Sequence, residues 1–409
     1  MPLESTPRIG PPTEPHFTPT EPHFTSLPPL GLYIHLPWCV RKCPYCDFNS
    51  HEGPDALPEA DYVEALLADL ETELPRVWGR TVQTVFIGGG TPSLFSPEAI
   101  DRLLAGVRAR VRLAADAEVT LEANPGTVEQ QRFAAYRAIG VNRLSIGVQS
   151  FADDKLAALG RIHDGDQARQ AVAIGLATVG NVNIDLMYAL PQQTLEQALA
   201  DIETALTAGS AGSGPPHLSC YQLTLEPNTV FAKKPPTGLP DHDVAATMQE
   251  AIEARLAAAG YEHYETSAFA RPGHRCRHNL NYWSFGDYLG IGAGAHGKLT
   301  LTAPARIERT ERVRQPREYM ARALAGNAVH ARRIIERNEI GFEFMLNALR
   351  LTEGFPVTLY SERTGYPISL VETPLRAVEA EGLIERDHRW IRPTAKGRRF
   401  LNHALRAFL

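Results

Sequence analysis

The chain has 409 residues, a formal net charge of -6 at pH 7 and charges of both signs along its length. This length is enough for one large α/β unit with a smaller second domain, and the charge excludes an overall basic field for nucleic acid or an anionic membrane. The sequence has no apolar run of about 18 residues and no secretory signal, so we expect a cytoplasmic protein.

The first 28 residues are rich in proline and threonine. They contain the heptapeptide PTEPHFT twice in tandem, at 12–18 and 19–25. Such composition cannot bury enough apolar surface to fold, so residues 1–28 are predicted to form a disordered tail. The histidines of the repeat, His16 and His23, are expected to lie in a solvated linker and not in a metal site.

From residue 31 onward, short apolar runs alternate with amphipathic stretches. Residues 61–74 and 96–111 have helical patterns, the second with Ser96 as N-cap and Pro97 in the first turn. Alternation of this kind predicts a parallel sheet, either doubly wound or curled into a full or partial barrel, and periodicity does not choose between them. The six predicted strands span residues 32–36, 82–89, 117–124, 143–150, 182–190 and 217–225.

The C-terminal part of the sequence has a different pattern. Three predicted helices are followed by a hairpin and a final helix, an order that resembles a winged helix and predicts a mainly helical domain. A DNA-binding use would need the basic side chains of Arg398, Arg399 and Arg406. Acidic residues balance the charge of the basic ones in this segment, so we favour a structural or lid module over a DNA-binding domain. The segments span residues 337–351, 356–365, 370–382, 383–394 and 395–409.

Three of the five cysteines form a C-x3-C-x2-C motif just after the first predicted strand: Cys39, Cys43 and Cys46. Thiolates so spaced select zinc or an iron–sulfur cluster, but a closed site normally needs four protein ligands. Zinc would require His35 or His51 as the fourth ligand. A cubane cluster held by three cysteines would instead leave one iron open to a small ligand. Cys220 is expected to be an ordinary buried strand residue.

With Tyr45 just before its last cysteine, the motif resembles the signature of radical S-adenosylmethionine (SAM) enzymes. The resemblance implies a partial (β/α)6 barrel of radical SAM type, a 4Fe-4S cluster on the three cysteines and SAM on the open iron. In that family, one electron from the cluster cleaves SAM to methionine and a 5′-deoxyadenosyl radical. The glycine-rich segment GGGTP at 88–92 includes Gly89, Gly90 and Thr91, and glycines there allow close approach of backbone to ligand.

Polar residues at the ends of successive strands extend this resemblance. They match the SAM contacts of the branch that resembles coproporphyrinogen oxidase. The resemblance implies that Arg161 pairs with the SAM carboxylate and Asp185 with the ribose hydroxyls. The other implied contacts are Glu122, Gln149 and Tyr33.

One glycine-rich segment fits the dinucleotide-binding pattern but is not expected to bind a dinucleotide. GAGAHG at 292–297 fits G-x-G-x-x-G, but the sequence after it is not helical, as the dinucleotide fingerprint requires. We therefore expect no NAD site. A glycine-rich strand closing over the SAM pocket, with His296 at its edge, is the preferred interpretation.

Two members of the branch remain to be distinguished. The oxygen-independent coproporphyrinogen III oxidase has a fourth cysteine two residues after the third, where this chain has Phe48. RHNLNYW at 277–283 instead resembles the H-N-x-x-Y-W motif of the HemW haem-chaperone family. The resemblance implies that His278 binds haem, with Cys276 as a possible second ligand. The structural alternative is that His278 and Asn279 are loop caps and the aromatic residues of the motif belong to the core.

The sequence therefore predicts a haem-binding radical SAM domain over 29–300 and a C-terminal domain like those of HemW and HemN over 301–409. The resemblance implies a chaperone that delivers haem to apoproteins such as respiratory enzymes. Its expected partners are haem, these apoproteins and a second copy of the chain, with membrane association only through partners and no nucleic acid. The alternatives are the oxidase, a decarboxylase of porphyrin biosynthesis, and a DNA-binding regulator.

Overall fold

The computed structural model of the protein describes residues 21–209 and 214–409. No helix in these two ranges combines the length and apolar character that a membrane crossing requires. The strands are β1 (Leu30–Leu36), β2 (Trp38–Cys39), β3 (His51–Glu52), β4 (Thr81–Gly89), β5 (Arg112–Ala123), β6 (Arg143–Gln149), β7 (Val182–Tyr188), β8 (His217–Gln222), β9 (Glu262–Glu265), β10 (Ala268–Ala270), β11 (Asp287–Ile291), β12 (His296–Thr302), β13 (Ala305–Arg312), β14 (Val329–Ile334), β15 (Phe355–Pro356), β16 (Ile384–Arg386) and β17 (Trp390–Pro393).

Helices connect most of these strands. They are α1 (Glu59–Glu73), α2 (Pro97–Arg110), α3 (Thr127–Ala138), α4 (Asp153–Ala158), α5 (Gly165–Thr178), α6 (Leu195–Leu206), α7 (Val230–Lys233), α8 (His242–Ala258), α9 (Arg277–Trp283), α10 (Pro316–Leu324), α11 (Ile340–Ala348), α12 (Val357–Thr364), α13 (Glu372–Ala380), α14 (Ala395–Arg399) and α15 (Leu401–Arg406). The predicted start of α2 is confirmed, because Ser96 Oγ accepts a hydrogen bond from the amide of Ala99.

Twelve strands form one sheet in the order β14-β13-β12-β11-β1-β4-β5-β6-β7-β8-β10-β9. Its centre is parallel from β11 to β8, and the six predicted strands are β1 and β4 to β8. The strand order has two ends, so the barrel is partial, as the resemblance implied. Leu32 and Ile34 of β1 are fully buried in the core of the sheet and helices, whereas the alternating Tyr33 and His35 face the barrel interior.

The antiparallel strands at both ends of the sheet were not predicted. β13, for example, has the sequence ARIERTER, which lacks an apolar run. Its charges are neutralised by partners distant in sequence: Arg309 pairs with Glu343, and the buried Arg312 pairs with Asp69 of α1 at 3.0 Å. The sheet continues to Ile334, so the boundary predicted at 300/301 falls inside β12.

The C-terminal domain follows β14 and has its own apolar core around Phe344. Its helices α11 to α13 are followed by the hairpin β16–β17, in the predicted order, and β15 completes a three-stranded sheet. The predicted final helix is two helices, α14 and α15, with Phe400 between them. Arg399, one of the basic residues considered for DNA contact, pairs with Glu250 of α8 at 3.2 Å.

The N-terminal segment differs from the predicted tail where it is described. The amide of His23 donates to the carbonyl of Gly365 at 2.9 Å, and Phe24 packs against the core of the C-terminal domain. The described part of the second copy, residues 21–25, was predicted to be disordered and instead contacts this domain. The first copy lies outside the described residues.

Candidate functional site

A cavity of about 430 Å³ opens where the parallel strands end. The structure places eleven of the thirteen predicted site residues in its wall, because the carboxyl ends of parallel strands meet at one edge. Tyr33 and His278 are not among the lining residues. The eleven are Cys39, Cys43, Tyr45, Cys46, Gly89, Gly90, Thr91, Glu122, Gln149, Arg161 and Asp185.

The loop that carries the cysteines is closed by its own hydrogen bonds. β2 pairs with β3 across the base of the loop, and the Lys42 ammonium donates to the carbonyl of Phe48 at 3.1 Å. Within the loop, the amide of Cys46 donates to the carbonyl of Cys43 at 3.1 Å. The loop therefore presents Cys39, Cys43 and Cys46 to the cavity as half-buried free thiols.

The chemistry of this donor set fits an iron–sulfur cluster with one open iron. Three soft thiols line one wall, and the position of a fourth cysteine is taken by Phe48, which is 61% exposed. Arg161 donates to the sulfur of Cys43 at 3.5 Å, so a cation lies beside one expected thiolate. No group of three or more His, Cys, Asp or Glu side chains in the described ranges is arranged to hold a single metal ion.

The two histidines considered as zinc ligands already make hydrogen bonds within the protein. His35 Nε2 donates to the carbonyl of Asn49 at 3.0 Å, and its Nδ1 accepts from the hydroxyl of Tyr33 at 3.0 Å. His51 Nε2 lies 3.3 Å from the side-chain oxygen of Asn49. Burial lowers the pKa of His35 to about 4. His35 and Tyr33 therefore support the cysteine loop from inside the barrel, and Tyr33 also stacks on Phe86 beside the cavity.

Arg161 has the geometry expected of a carboxylate-binding residue. One terminal nitrogen donates to the side-chain oxygen of Asn124 at 2.7 Å and to the carbonyl of Gly147 at 2.8 Å. Its Nε is buried and has no hydrogen-bond partner. Because an unpaired buried donor is costly, this atom is suited to a ligand acceptor, and the methionine carboxylate of SAM has the right chemistry.

Two carboxyl groups also line the cavity. Glu122 accepts the amide of Gly89 at 3.0 Å, and a Cβ on Gly88 would lie 2.9 Å from the same oxygen, so a larger residue at 88 would have to displace this carboxylate. Burial, reinforced by nearby Asp185, raises the pKa of Glu122 to about 8. Asp185 accepts hydrogen bonds from Asn183 at 2.8 Å and from a serine on β6 at 3.1 Å, and burial raises its pKa.

Replacing Glu122 with glutamine should stabilise the SAM-free protein at high pH. Above pH 4.5 the unfolded chain releases a proton that folded Glu122 holds until about pH 8, so wild-type stability falls across this window. The shift corresponds to at most roughly 5 kcal/mol. Urea unfolding should show an advantage of the Gln variant that is near zero at pH 5 and largest above pH 8. An advantage that does not vary with pH, or one shared by the exposed control Glu98→Gln, would contradict this prediction.

His278 has a structural position that the sequence interpretation did not foresee. It is 1% exposed, its Nδ1 lies 2.7 Å from the hydroxyl of Thr84, and its Nε2 lies 2.9 Å from the hydroxyl of Tyr282. Its ring stacks on Phe86 at 5.1 Å, and burial lowers its pKa to about 3. Both ring nitrogens are engaged, so the prediction of haem ligation would require these bonds to break.

The segment around His278 folds back into the barrel. The first amides of α9 donate to Glu118 of β5, and the sulfur of Cys276 lies 3.6 Å from the same carboxylate. Cys276 is fully buried, so it is not available as a second haem ligand in this conformation. The next residue after His278, Asn279, lines the cavity. The motif RHNLNYW therefore lies at the inner end of the cavity as a helix whose first amides are capped by Glu118 and whose buried residue is His278.

Strand β12 begins at His296, inside the glycine-rich segment 292–297, so the segment leads into a strand and not into the helix that a dinucleotide fingerprint requires. Its expected position over the SAM pocket is wrong, because its residues do not line the cavity. Instead, Asn49 of the cysteine loop donates to the carbonyl of Ala293 at 2.9 Å, and a Cβ on Gly294 would lie 2.4 Å from the Asn49 amide nitrogen. The segment supports the back of the cysteine loop.

Comparison with known proteins agrees with this geometry. Residues 33–205 match the Radical SAM superfamily, and residues 335–400 match the HemN C-terminal domain. The heme chaperone HemW of Escherichia coli is 50% identical over 386 residues, which cover 94% of this chain and 99% of that protein. The chain belongs to the HemW family. HemW of Haemophilus influenzae is 46% identical over 94% of this chain and 99% of that protein.

Relatives of HemW outside bacteria have a similar sequence. The mitochondrial radical S-adenosyl methionine domain-containing protein 1 of Bos taurus is 35% identical, covering 93% of this chain and 87% of that protein. Among solved structures, the coproporphyrinogen III oxidase HemN of Escherichia coli superposes with a TM-score of 0.77 over 93% of this chain and 90% of that chain. At 23% identity this likeness shows the fold alone, a radical SAM α/β fold with a helical C-terminal domain.

The cavity of this HemW-family chain also contains residues that the sequence interpretation missed. Asn124 directly follows β5 and donates to the hydroxyl of Thr91 at 2.9 Å, in addition to holding Arg161. Its position directly after a strand could have identified Asn124 from the sequence as a site residue. Arg143 and Asn183 lie at the amino ends of β6 and β7, deep in the barrel, where nothing in the sequence distinguishes them from other strand residues.

Proposed function

We propose that this chain is a haem-binding radical SAM protein that acts as a haem chaperone and delivers haem to apoproteins such as respiratory enzymes. The observation that carries the proposal is the 50% identity, over nearly the full length of both chains, to a protein named heme chaperone HemW. The cytoplasm is the proposed location, since a reducing compartment preserves the three clustered thiols. A homodimer and membrane association through partners belong to the same proposal.

The cavity residues supply the proposed cofactor sites. Cys39, Cys43 and Cys46 would hold a 4Fe-4S cluster, which supplies an open iron and one-electron chemistry when bound. Arg161 would hold the carboxylate of SAM, and Asp185 its ribose hydroxyls. The remaining proposed contacts are Tyr45, Gly89, Gly90, Thr91, Glu122 and Gln149, which line the same cavity.

The alternative function is oxygen-independent coproporphyrinogen III oxidation, a radical decarboxylation in porphyrin biosynthesis. The similarity of this fold to HemN favours it. Phe48 stands against it, because the oxidase pattern described above has a cysteine at this position. Anaerobic incubation with coproporphyrinogen III, SAM and a reductant should therefore give no decarboxylated product.

A hemin titration followed in the Soret band tests the proposed function. We expect saturation near one haem per chain in the protein with its cluster reconstituted. Transfer of the bound haem to an added apoprotein should then shift the Soret band to that of the acceptor. Absence of saturable binding, together with turnover of coproporphyrinogen III, would replace the chaperone proposal with the oxidase.

A further inference from the structure

Within the described residues, the position predicted for haem ligation is closed. His278 has both ring nitrogens bonded and is closed off from solvent. The cavity volume of about 430 Å³ is near the lower end of ligand pockets, which span about 300–1,000 Å³. Its wall is already assigned to the cysteines and the proposed SAM contacts. These observations favour a surface site for haem.

Exposed apolar side chains gather around the mouth of this cavity. We call them the mouth rim: Val40, Phe48, Ile162, Leu225 and Val230. Four of them are between 58% and 61% exposed, and Leu225 is 41% exposed. Phe48 lines the cavity itself, and Val40, Ile162 and Leu225 each adjoin lining residues in the sequence. Single exposed apolar residues need no explanation, but a contiguous group commonly marks a binding surface.

The loops that carry the mouth rim contact one another. Arg41, next to Val40, donates to the carbonyl of Gly160 at 2.6 Å, which ties the cysteine loop to the segment of Ile162. The amide of Phe231, next to Val230, donates to the carbonyl of Pro44 at 3.0 Å, which ties α7 to the cysteine loop. Hydrogen bonds therefore join the loops that carry Val40, Ile162 and Val230 at the mouth of the cavity.

Exposed cations accompany the rim. Arg41 and Lys42 follow Val40, and Lys233 and Lys234 lie one turn beyond Val230. Haem combines a flat apolar ring with two propionate carboxylates, so apolar side chains flanked by cations complement it in shape and charge. Resting on the proposed chaperone function, we infer that haem binds on the mouth rim, over the cysteine loop, and not at His278.

The test compares hemin titrations of reconstituted wild-type protein and three variants. The rim variant combines Phe48→Ser and Val230→Ser and should raise the Kd for hemin at least tenfold. His278→Gln should leave the Kd unchanged. Trp78→Ser removes a side chain that is 84% exposed at the amino end of β4, away from the mouth, and should also have no effect. Iron content per chain checks that each variant retains its cluster.

Each result has a definite meaning. A rim variant with wild-type haem affinity would overturn the inference, and so would loss of haem from His278→Gln alone. If the rim variant binds haem normally but transfers it more slowly to apomyoglobin, the rim is a protein-docking surface and the haem site is elsewhere. If the double variant loses its cluster, the hemin Kd of Val230→Ser alone is compared with that of wild type, because Val230 lies outside the cysteine loop. Failure of wild-type protein to bind hemin would instead refute the proposed function.

Discussion

Replacing Cys43 with alanine should abolish the brown chromophore of the anaerobically reconstituted protein. A cubane cluster with one open iron takes three thiolate ligands, and this cavity has three. No fourth cysteine lies in the loop to replace a lost ligand. Iron and acid-labile sulfide should fall from about four per chain to near zero. The measurement is visible absorbance combined with iron and sulfide assays after anaerobic desalting.

The matched control is Cys220→Ala. Cys220 lies on β8 inside the core, and burial raises the pKa of its thiol well above the usual range, so it remains a neutral packing residue. Its loss should leave iron and sulfide unchanged. Retention of the full chromophore in Cys43→Ala would rule out the three-thiolate cluster. Equal losses in both variants would show that the assay reports folding and not ligation.

The parallel core and most of the cavity could be predicted because their signals are local. Each βα unit has an apolar run followed by an amphipathic helix, and parallel strands bring their carboxyl ends together whatever the rest of the chain does. Cys43, Glu122 and Arg161 are far apart in sequence, yet each follows or ends such a strand. The resemblance implied Glu122 and Arg161 as contacts, and the parallel topology explains why they share one cavity with Cys43.

The failures of prediction concern contacts that depend on tertiary partners. The sequence of α9 shows a histidine with two aromatic residues, which suits haem as well as core packing. Only the position of Glu118 on β5 and Thr84 on β4 turns His278 inward. In the same way, β13 pairs with its neighbouring strands although it is charged, and its arginines find acids distant in sequence, such as Asp69. Periodicity carries no information about such partners.

Replacing Arg161 with methionine should weaken SAM binding by about 100-fold while the cluster remains in place. The buried guanidinium has an unpartnered Nε beside the cysteine loop, and methionine retains the length and apolar stem of the side chain without its charge. Hydrogen bonds to charged groups contribute about 1.5–3 kcal/mol, and about 1.4 kcal/mol corresponds to tenfold in Kd. Calorimetric titration of the reconstituted protein with SAM measures the effect.

The control for this prediction is Arg169→Met. Arg169 lies on α5, a short distance along the chain, and pairs on the surface with Asp166 at 2.8 Å. Surface pairs of this kind contribute little, so SAM affinity and cluster content should match wild type. Cluster absorbance separates a ligand effect from a fold effect, since loss of SAM binding with intact absorbance assigns Arg161 to the ligand. SAM affinity within threefold of wild type in Arg161→Met would show that the SAM carboxylate binds elsewhere in the cavity.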